Sequence, residues 1–340
     1  MVKSGDLLIG MDGEFRCYEW SGEDALLNQR VCRLQNFAST MLPRFVLYGI
    51  NKHLAEIEAH TSFTTVKHIS SKQILGIDFP VPPLPEQKRI VAILDEAFEG
   101  LAVAAANAEK NLKNARQLFD SYLGAVFAKA SHHVPLSEYA TDITDGDHSP
   151  PPKAPTGVPF ITISNIDKQS RMIDFTDTFT VSREYFDGLQ TNKRPRKGDV
   201  LYTVTGSFGI PVLVHEDRDF CFQRHIGLIR PKPSADPLWI SYALLSPQVF
   251  LQAAEGSTGT AQKTVSLRVL RQLQVPKWTL EEQKSTSGKL LVFEAQSQRL
   301  ESTFRVKAKQ IAELKQSLLH KAFSGELTSR AAEATLEAAQ

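Results

Sequence analysis

The stretch Pro80-Val81-Pro82-Pro83-Leu84-Pro85-Glu86-Gln87-Lys88-Arg89-Ile90 returns later in the chain as Pro276-Lys277-Trp278-Thr279-Leu280-Glu281-Glu282-Gln283-Lys284. In both places proline precedes glutamate and a long charged, amphipathic run follows. Proline near a helix start costs no needed donor, and acidic side chains in the first turn suit the helix dipole. Both stretches therefore predict the opening of a helix. Outward from the first, apolar or alanine residues recur at Ile90, Leu94, Ala97, Leu101, Ala104, Ala108, Leu112, Ala115, Phe119, Tyr122 and Val126. After the second, Leu300, Phe304, Ile311, Leu314, Leu318 and Phe323 keep the same rhythm. Steps near four and three are heptad spacing, so two long helices in a coiled coil are expected. A helix over 86–127 would be ~60 Å long at ~1.5 Å per residue.

The repeat extends beyond the hinges. Gly5-Asp6-Leu7-Leu8-Ile9 reads like Gly198-Asp199-Val200-Leu201-Tyr202, 193 residues on. Asn28-Gln29-Arg30-Val31 falls on Gln223-Arg224-His225-Ile226 at an offset of 195, and Glu86-Gln87-Lys88 on Glu282-Gln283-Lys284 at 196. Ordered matches with a slowly drifting offset mean duplication with small insertions. Residues 131–196 have no counterpart in the first copy, so the first copy is expected to lack its N-terminal part and to be partly unstable alone.

The module over 131–278 mixes short β-rich runs (160–163, 200–204, 225–229) with polar turns, and a helix is expected over 237–251. This is an α+β domain pattern. Its loops Thr205-Gly206-Ser207-Phe208-Gly209 and 256–264 are rich in glycine and small hydroxyls. Backbone amides and hydroxyls in such loops approach phosphates, and Gln, Arg and Lys reach base edges. Ordinary turns account for any single loop equally well.

The chain has 340 residues, 39 basic and 38 acidic, for a net charge of +1. Charge alone therefore does not argue for nucleic acid. Within 191–232, eight basic residues face four acidic ones, which permits a phosphate-binding edge without requiring it. Cys17, Cys32 and Cys221 make no CxxC pair and read as thiols of a reducing compartment. No apolar run approaches a membrane span, and a cytoplasmic location without membrane contact is expected.

Motifs of catalysis are missing: no adenine-methyltransferase Pro-Pro-Tyr segment, no P-loop, no HExxH and no GxSxG. Asp145-Gly146-Asp147-His148 reads as a turn capping its own backbone rather than a metal site. A solitary nuclease using Asp145, Asp147 and His148 is a remote alternative.

With these residues in view, the chain resembles the specificity subunit of type I restriction–modification systems. The resemblance rests on Pro83-Leu84-Pro85-Glu86-Gln87-Lys88-Arg89-Ile90 and Lys321-Ala322-Phe323-Ser324-Gly325-Glu326-Leu327. The Asp145 turn, Gly157-Val158-Pro159-Phe160-Ile161 and Gly198-Asp199-Val200-Leu201 also carry it. It implies α+β target recognition domains separated by two long helices in an antiparallel coiled coil. Each domain would read one half of a split sequence in double-stranded DNA. The helices would set the gap and dock two methyltransferase subunits, and a restriction/translocase subunit would join the assembly. The chain itself would be non-catalytic and hold no cofactor, with S-adenosylmethionine, ATP and Mg on partner subunits.

On this reading the candidate DNA contacts are Thr205, Ser207, Gln223, Arg224, His225 and Lys263. The helix spacer would use Leu94, Leu101, Leu112, Phe119, Leu300, Phe304, Ile311, Leu314 and Leu318. The expected parts are an incomplete first recognition domain (1–79), a long helix (80–130), a complete recognition domain (131–278), a second helix (279–327) and a flexible tail (328–340). The alternative is an inactive remnant serving only as a coiled-coil interaction module.

Overall fold

The computed structural model describes residues 1–61, 66–149, 151–259 and 262–328. The chain divides into two compact units, Met1–Asn111 with Thr303–Gln340, and Leu112–Ser302. The expected tail lies outside the described residues from 329 onward.

In the first unit β1 (Leu7–Gly10) is the centre of an antiparallel sheet, flanked by β2 (Cys17–Glu19) and β3 (Val31–Leu34). Helix α1 (Pro43–His60) begins at a proline, which keeps the preceding Leu42 extended. It buries Val46, Ile50 and Leu54 with Leu7, Ile9 and Phe15 of the sheet layer. Burying each such side chain contributes roughly 1.5–3 kcal/mol. The short α2 (Ser71–Leu75) opens with a capping box between Ser70 and Gln73. Then α3 (Leu84–Phe127) leaves the proline hinge. Its first turns bury Ile90, Val91 and Leu94 in a cluster with Phe45 of α1 and with Leu318, Leu319 and Ala322 near the end of the chain's last helix.

The second unit begins with the end of α3 and continues through β4 (His133–Pro135), β5 (Ala140–Asp145), β6 (Val158–Ile161), β7 (Ile166–Asp167) and β8 (Met172–Ile173). Next come β9 (Phe179–Val181), α4 (Arg183–Gly188), β10 (Val200–Thr203), β11 (Pro211–Leu213), β12 (Cys221–Phe222) and β13 (Ile226–Pro231). Helices α5 (Pro237–Leu245), α6 (Pro247–Glu255) and α7 (Leu267–Gln272), strand β14 (Gln274–Pro276) and the part of helix α8 (Leu280–Ser324) up to Ser302 complete it. The main sheet has the order β11-β10-β13-β5, a second sheet β12-β6-β9, and β4 pairs with β14. One core joins Val200, Tyr202 and Ile229 of the main sheet to Trp239 and Ile240 of α5, and to Phe119, Leu123, Phe127 and Leu290 of the long helices.

The helix expected over 237–251 is two helices. Pro247 forces Ser246 into an extended conformation (ψ 144°), and Ser246 serves as both C-cap of α5 and N-cap of α6. The buried Ser246 hydroxyl donates to the Ala243 carbonyl oxygen at 2.7 Å.

Duplication is visible at the level of single hydrogen bonds. Gly5 (φ 91°) and Gly198 (φ 87°) hold matching turns that favour glycine. The N–H of Lys3 donates to the Asp6 carboxylate at 2.7 Å, and that of Arg196 to Asp199 at 3.1 Å. The units differ at the sheet edge. β13 is paired on both sides and buried, whereas β3 is half-buried and no described strand pairs with its outer side.

Antiparallel pairing of α3 and α8 holds within each unit. In the second, Arg116 pairs with Glu301 at 3.1 Å, Ser297 Oγ donates to the Ala115 carbonyl at 2.6 Å, and Tyr122 meets Phe293 at 4.2 Å between ring centroids. In the first, the Lys315 ammonium lies 5.0 Å over the Phe98 ring. Of the expected spacer residues, Leu94 and Phe119 are buried, while Leu101, Leu112, Phe304, Ile311 and Leu318 are half-buried. Leu300 and Leu314 are corrections, being 43% and 49% exposed. The inward side of α8 in the second unit is instead Gln283, Ser287, Leu290, Glu294, Ser297 and Glu301, at steps of four and three. Ser297 bonds to the Ala115 backbone at this seam, and Glu301, next to the exposed Leu300, is the residue that turns inward.

Candidate nucleic-acid interface

In the second unit, Thr203 of β10 lies opposite Ile226 of β13, and Asp145 of β5 opposite Gly227. The C-terminal ends of β5 and β10 and the N-terminal end of β13 therefore share one end of the sheet. Three loops leave from that end, and a fourth is tied to them. The Val204 N–H donates to the His225 carbonyl at 2.9 Å, Gly206 N–H to Lys263 O at 3.0 Å, and Val265 N–H to Val204 O at 2.8 Å. These bonds bring Thr205, Ser207, Gln223, Arg224, His225 and Lys263 to one place, although they lie as far as 58 positions apart in the chain (205 to 263).

Their roles differ. Ser207, Arg224 and Lys263 are exposed, and Gln223 and His225 are half-buried. Thr205 is a correction. Its side chain is buried and accepts from the Thr264 hydroxyl at 3.4 Å, so it ties two loops together instead of facing solvent. Thr260 and Ala261 of the fourth loop lie outside the described residues.

The Asp145 turn completes the site and is held by backbone bonds to the segment 222–224. Asp147 N–H donates to Phe222 O at 3.1 Å, and Arg224 N–H to Asp147 O at 3.0 Å. A Cβ on Gly146 would stand 1.9 Å from the Phe222 carbonyl oxygen, so only glycine allows the two backbones to approach. The Asp147 carboxylate accepts from Tyr185 Oη at 2.5 Å, and Asp145 meets His148 Nε2 at 2.9 Å. Burial, then the Asp147 carboxylate, pushes the Tyr185 phenol well above its usual range. Among the described residues no group of three His, Cys, Asp or Glu side chains is placed to hold a metal ion.

Sequence reasoning missed Lys168. Its ammonium donates to Ser207 Oγ at 2.8 Å from the turn between β7 and β8. The two residues are 39 apart in sequence, and no local pattern signals the contact. The basic excess over 191–232 mostly lies elsewhere. Arg230 is buried against Asp199 (Nη2 to Oδ2, 2.8 Å), Arg194 donates to Leu189 O, and Lys232 to Glu138 O. Of the eight, Arg224 belongs to the loop cluster.

The first unit repeats this framework. Met11 N–H donates to Arg30 O at 2.9 Å, Gly13 N–H to Lys67 O at 3.0 Å, and Ile69 N–H to Met11 O at 2.9 Å. Asp12 and His68 thus stand where Thr205 and Thr264 stand in the second unit, with bridges Asp12–His68 and Thr205–Thr264. Asp12 is bonded to His68 Nδ1 at 2.6 Å and ion-paired with Arg30. Asn28, Gln29 and Arg30 are exposed beside them.

Comparison with known proteins decides what carries this paired loop framework. The family described as the type I restriction modification DNA specificity domain matches residues 1–112 and 142–310. The chain belongs to that family. It is 28% identical over 358 residues to the specificity subunit of the type I restriction enzyme EcoBI of Escherichia coli, covering 96% of this chain and 74% of that one. Similarity to the MjaVIII specificity subunit of Methanocaldococcus jannaschii is 22% over 316 residues, covering 85% and 72%. A chain solved in work on complex assembly and conformational transition of the type I R-M system matches with a TM-score of 0.78 at 22% identity, covering 96% and 83%. The HsdS subunit of Thermoanaerobacter tengcongensis matches at 0.61 and 21%, covering 96% and 82%. These solved chains share the fold of this specificity-domain protein. Among the described residues no helix is long and apolar enough to cross a membrane.

Proposed function

We propose that this member of the family is the sequence-reading subunit of a type I restriction–modification assembly. One observation carries the reading. In each unit, loops distant in sequence meet at one end of the sheet and expose polar side chains there. In the second unit these are Ser207, Gln223, Arg224, His225 and Lys263, and in the first Asn28, Gln29 and Arg30. Arginine and glutamine read base edges in the major groove, and lysine positions the phosphate backbone.

On this reading the chain performs no bond chemistry. The outer faces of α3 and α8 receive two methyltransferase subunits, and a restriction/translocase subunit joins through them. S-adenosylmethionine, ATP and Mg are then used on those partners.

Co-expression with the neighbouring methyltransferase subunit, followed by mapping of adenine methylation across the host genome, tests the function. A split motif is the expected result. Arg224→Ala should relax one base position in one half at a cost of about 1–3 kcal/mol in DNA affinity. A genome without new methylation would count against the reading.

A further inference from the structure

We propose that Lys168 is a DNA-backbone contact of the recognition site, and that the hairpin carrying it is fixed in place by an ion pair between Arg171 and Glu294 of α8. This deepens the DNA-reading function and rests on it.

The hairpin β7–β8 has two paired positions, Ile166 with Ile173 and Asp167 with Met172. Its four-residue turn, Lys168 to Arg171, is rigid for a local reason. One oxygen of Asp167 accepts from the Gln169 N–H at 3.1 Å, the Ser170 N–H at 2.6 Å and the Ser170 hydroxyl at 2.7 Å. Arg171 closes the turn in the left-handed region (φ 54°), its N–H donating to Asp167 O at 2.9 Å. A non-glycine residue persists there when the surroundings over-determine it.

Those surroundings are the long helix. The Arg171 guanidinium pairs with Glu294, and both side chains are largely buried. The other Glu294 oxygen accepts from Tyr242 Oη of α5 at 2.7 Å. A cleft of about 220 Å³, lined by residues that include Met172, Leu213, His215, Leu291 and Gln298, adjoins this ion pair. Arg171 therefore ties the hairpin to α8 beside the cleft.

At the other end of the same turn, the exposed Lys168 reaches Ser207 in the loop cluster. The ammonium carries three donors and uses one on Ser207, which leaves it donors for a phosphate oxygen. Its position beside Ser207, with exposed Arg224 and Lys263 on the loops of the same sheet end, suits a backbone contact. Such a contact positions the duplex and carries no sequence information of its own.

The test uses the full chain and a random-sequence DNA duplex, with affinity measured across a range of salt concentrations. Lys168→Ala should weaken binding equally for random duplexes and for a duplex carrying the mapped motif. It should also reduce the slope of log K against log salt by about 0.9. Lys168→Arg should retain both affinity and slope.

Arg171→Met should weaken binding in the wild-type background and add less than a twofold loss to Lys168→Ala, because both changes act through one contact. Circular dichroism and urea unfolding of each variant separate misfolding from lost contact. An unchanged slope in Lys168→Ala with wild-type binding intact would overturn the Lys168 contact alone. Additive losses in the double variant would overturn the role of Arg171. A wild-type chain without salt-dependent DNA binding would overturn the DNA-reading function and this contact with it.

Discussion

Gln87 and Gln283 make the same connection in the two copies. Each is fully buried at a helix start, donates to a carbonyl of its own hinge, and accepts from the backbone N–H that precedes a proline-led helix. Gln87 donates to Pro82 O at 2.7 Å and accepts from Leu42 N–H at 2.8 Å. Gln283 donates to Trp278 O at 2.9 Å and accepts from Asp236 N–H at 2.9 Å. The glutamine after each hinge is thus the lock between a long helix and the residue that caps the first sheet-packed helix, Leu42 before α1 and Asp236 before α5.

Replacing either glutamine by alanine leaves buried carbonyl and amide groups without partners. Gln87→Ala and Gln283→Ala should each lower stability by roughly 2–3 kcal/mol. Urea unfolding should show a lower midpoint at an unchanged slope, and a loss below about 1 kcal/mol would remove the lock from the account.

Glycines at two positions should respond in opposite directions. Gly146→Ala drives a Cβ into the Phe222 carbonyl, so a loss of about 3 kcal/mol and weakened DNA binding are expected. Gly100 lies inside α3 with open space where a Cβ would stand. Gly100→Ala should raise stability by roughly 0.5–1 kcal/mol. Calorimetry on the two variants checks both signs.

The buried pair Arg230–Asp199 is bidentate, at 3.0 and 2.8 Å, and Arg230 also donates to Thr191 O and Arg194 O. Arg230→Met strands a buried carboxylate and should cost about 3–5 kcal/mol. Adding Asp199→Leu should recover part of that loss, since no unpaired charge then remains. A double variant less stable than Arg230→Met, measured by urea unfolding, would contradict the interpretation.

Asp12 provides the pH prediction. The His68 hydrogen bond is the largest influence and, with Arg30, holds its carboxyl below the ordinary 3.8. A depressed folded-state value stabilises the fold above the unfolded value and is lost as pH falls through the folded one. The loop contact should therefore persist through neutral pH and fail below 3.8. NMR titration of the Asp12 carboxyl should show a midpoint under 3.8 that rises in His68→Ala. A midpoint at or above that value in the wild type would refute the assignment.

Much of this architecture is local and hence legible in the chain. Proline with glutamate opens α3 and α8, heptad spacing gives their length, and Gly5-Asp6 against Gly198-Asp199 reveals the duplication. A capping box at Thr279 and Glu282 (Thr279 N–H to Glu282 at 2.7 Å) adds a signal that the residues themselves carry. The seam of α8 was less legible. Ser287, Ser297 and Glu301 turn inward because they find hydrogen-bond or ion partners, and an apolar rhythm cannot register a partner.

By itself the sequence determined the two copies, the two long helices and the family resemblance, because each rests on residues close together or repeated in order. Only the tertiary structure decided which side chains gather at the candidate interface. Backbone bonds between Val204 and His225, and between Gly206 and Lys263, join segments that no local pattern relates. Around them Thr205 is buried and Arg224 exposed, while the β7–β8 hairpin brings Lys168 to Ser207. Sheet pairing and loop closure choose among residues of equal chemistry by position, and position is a property of the folded chain.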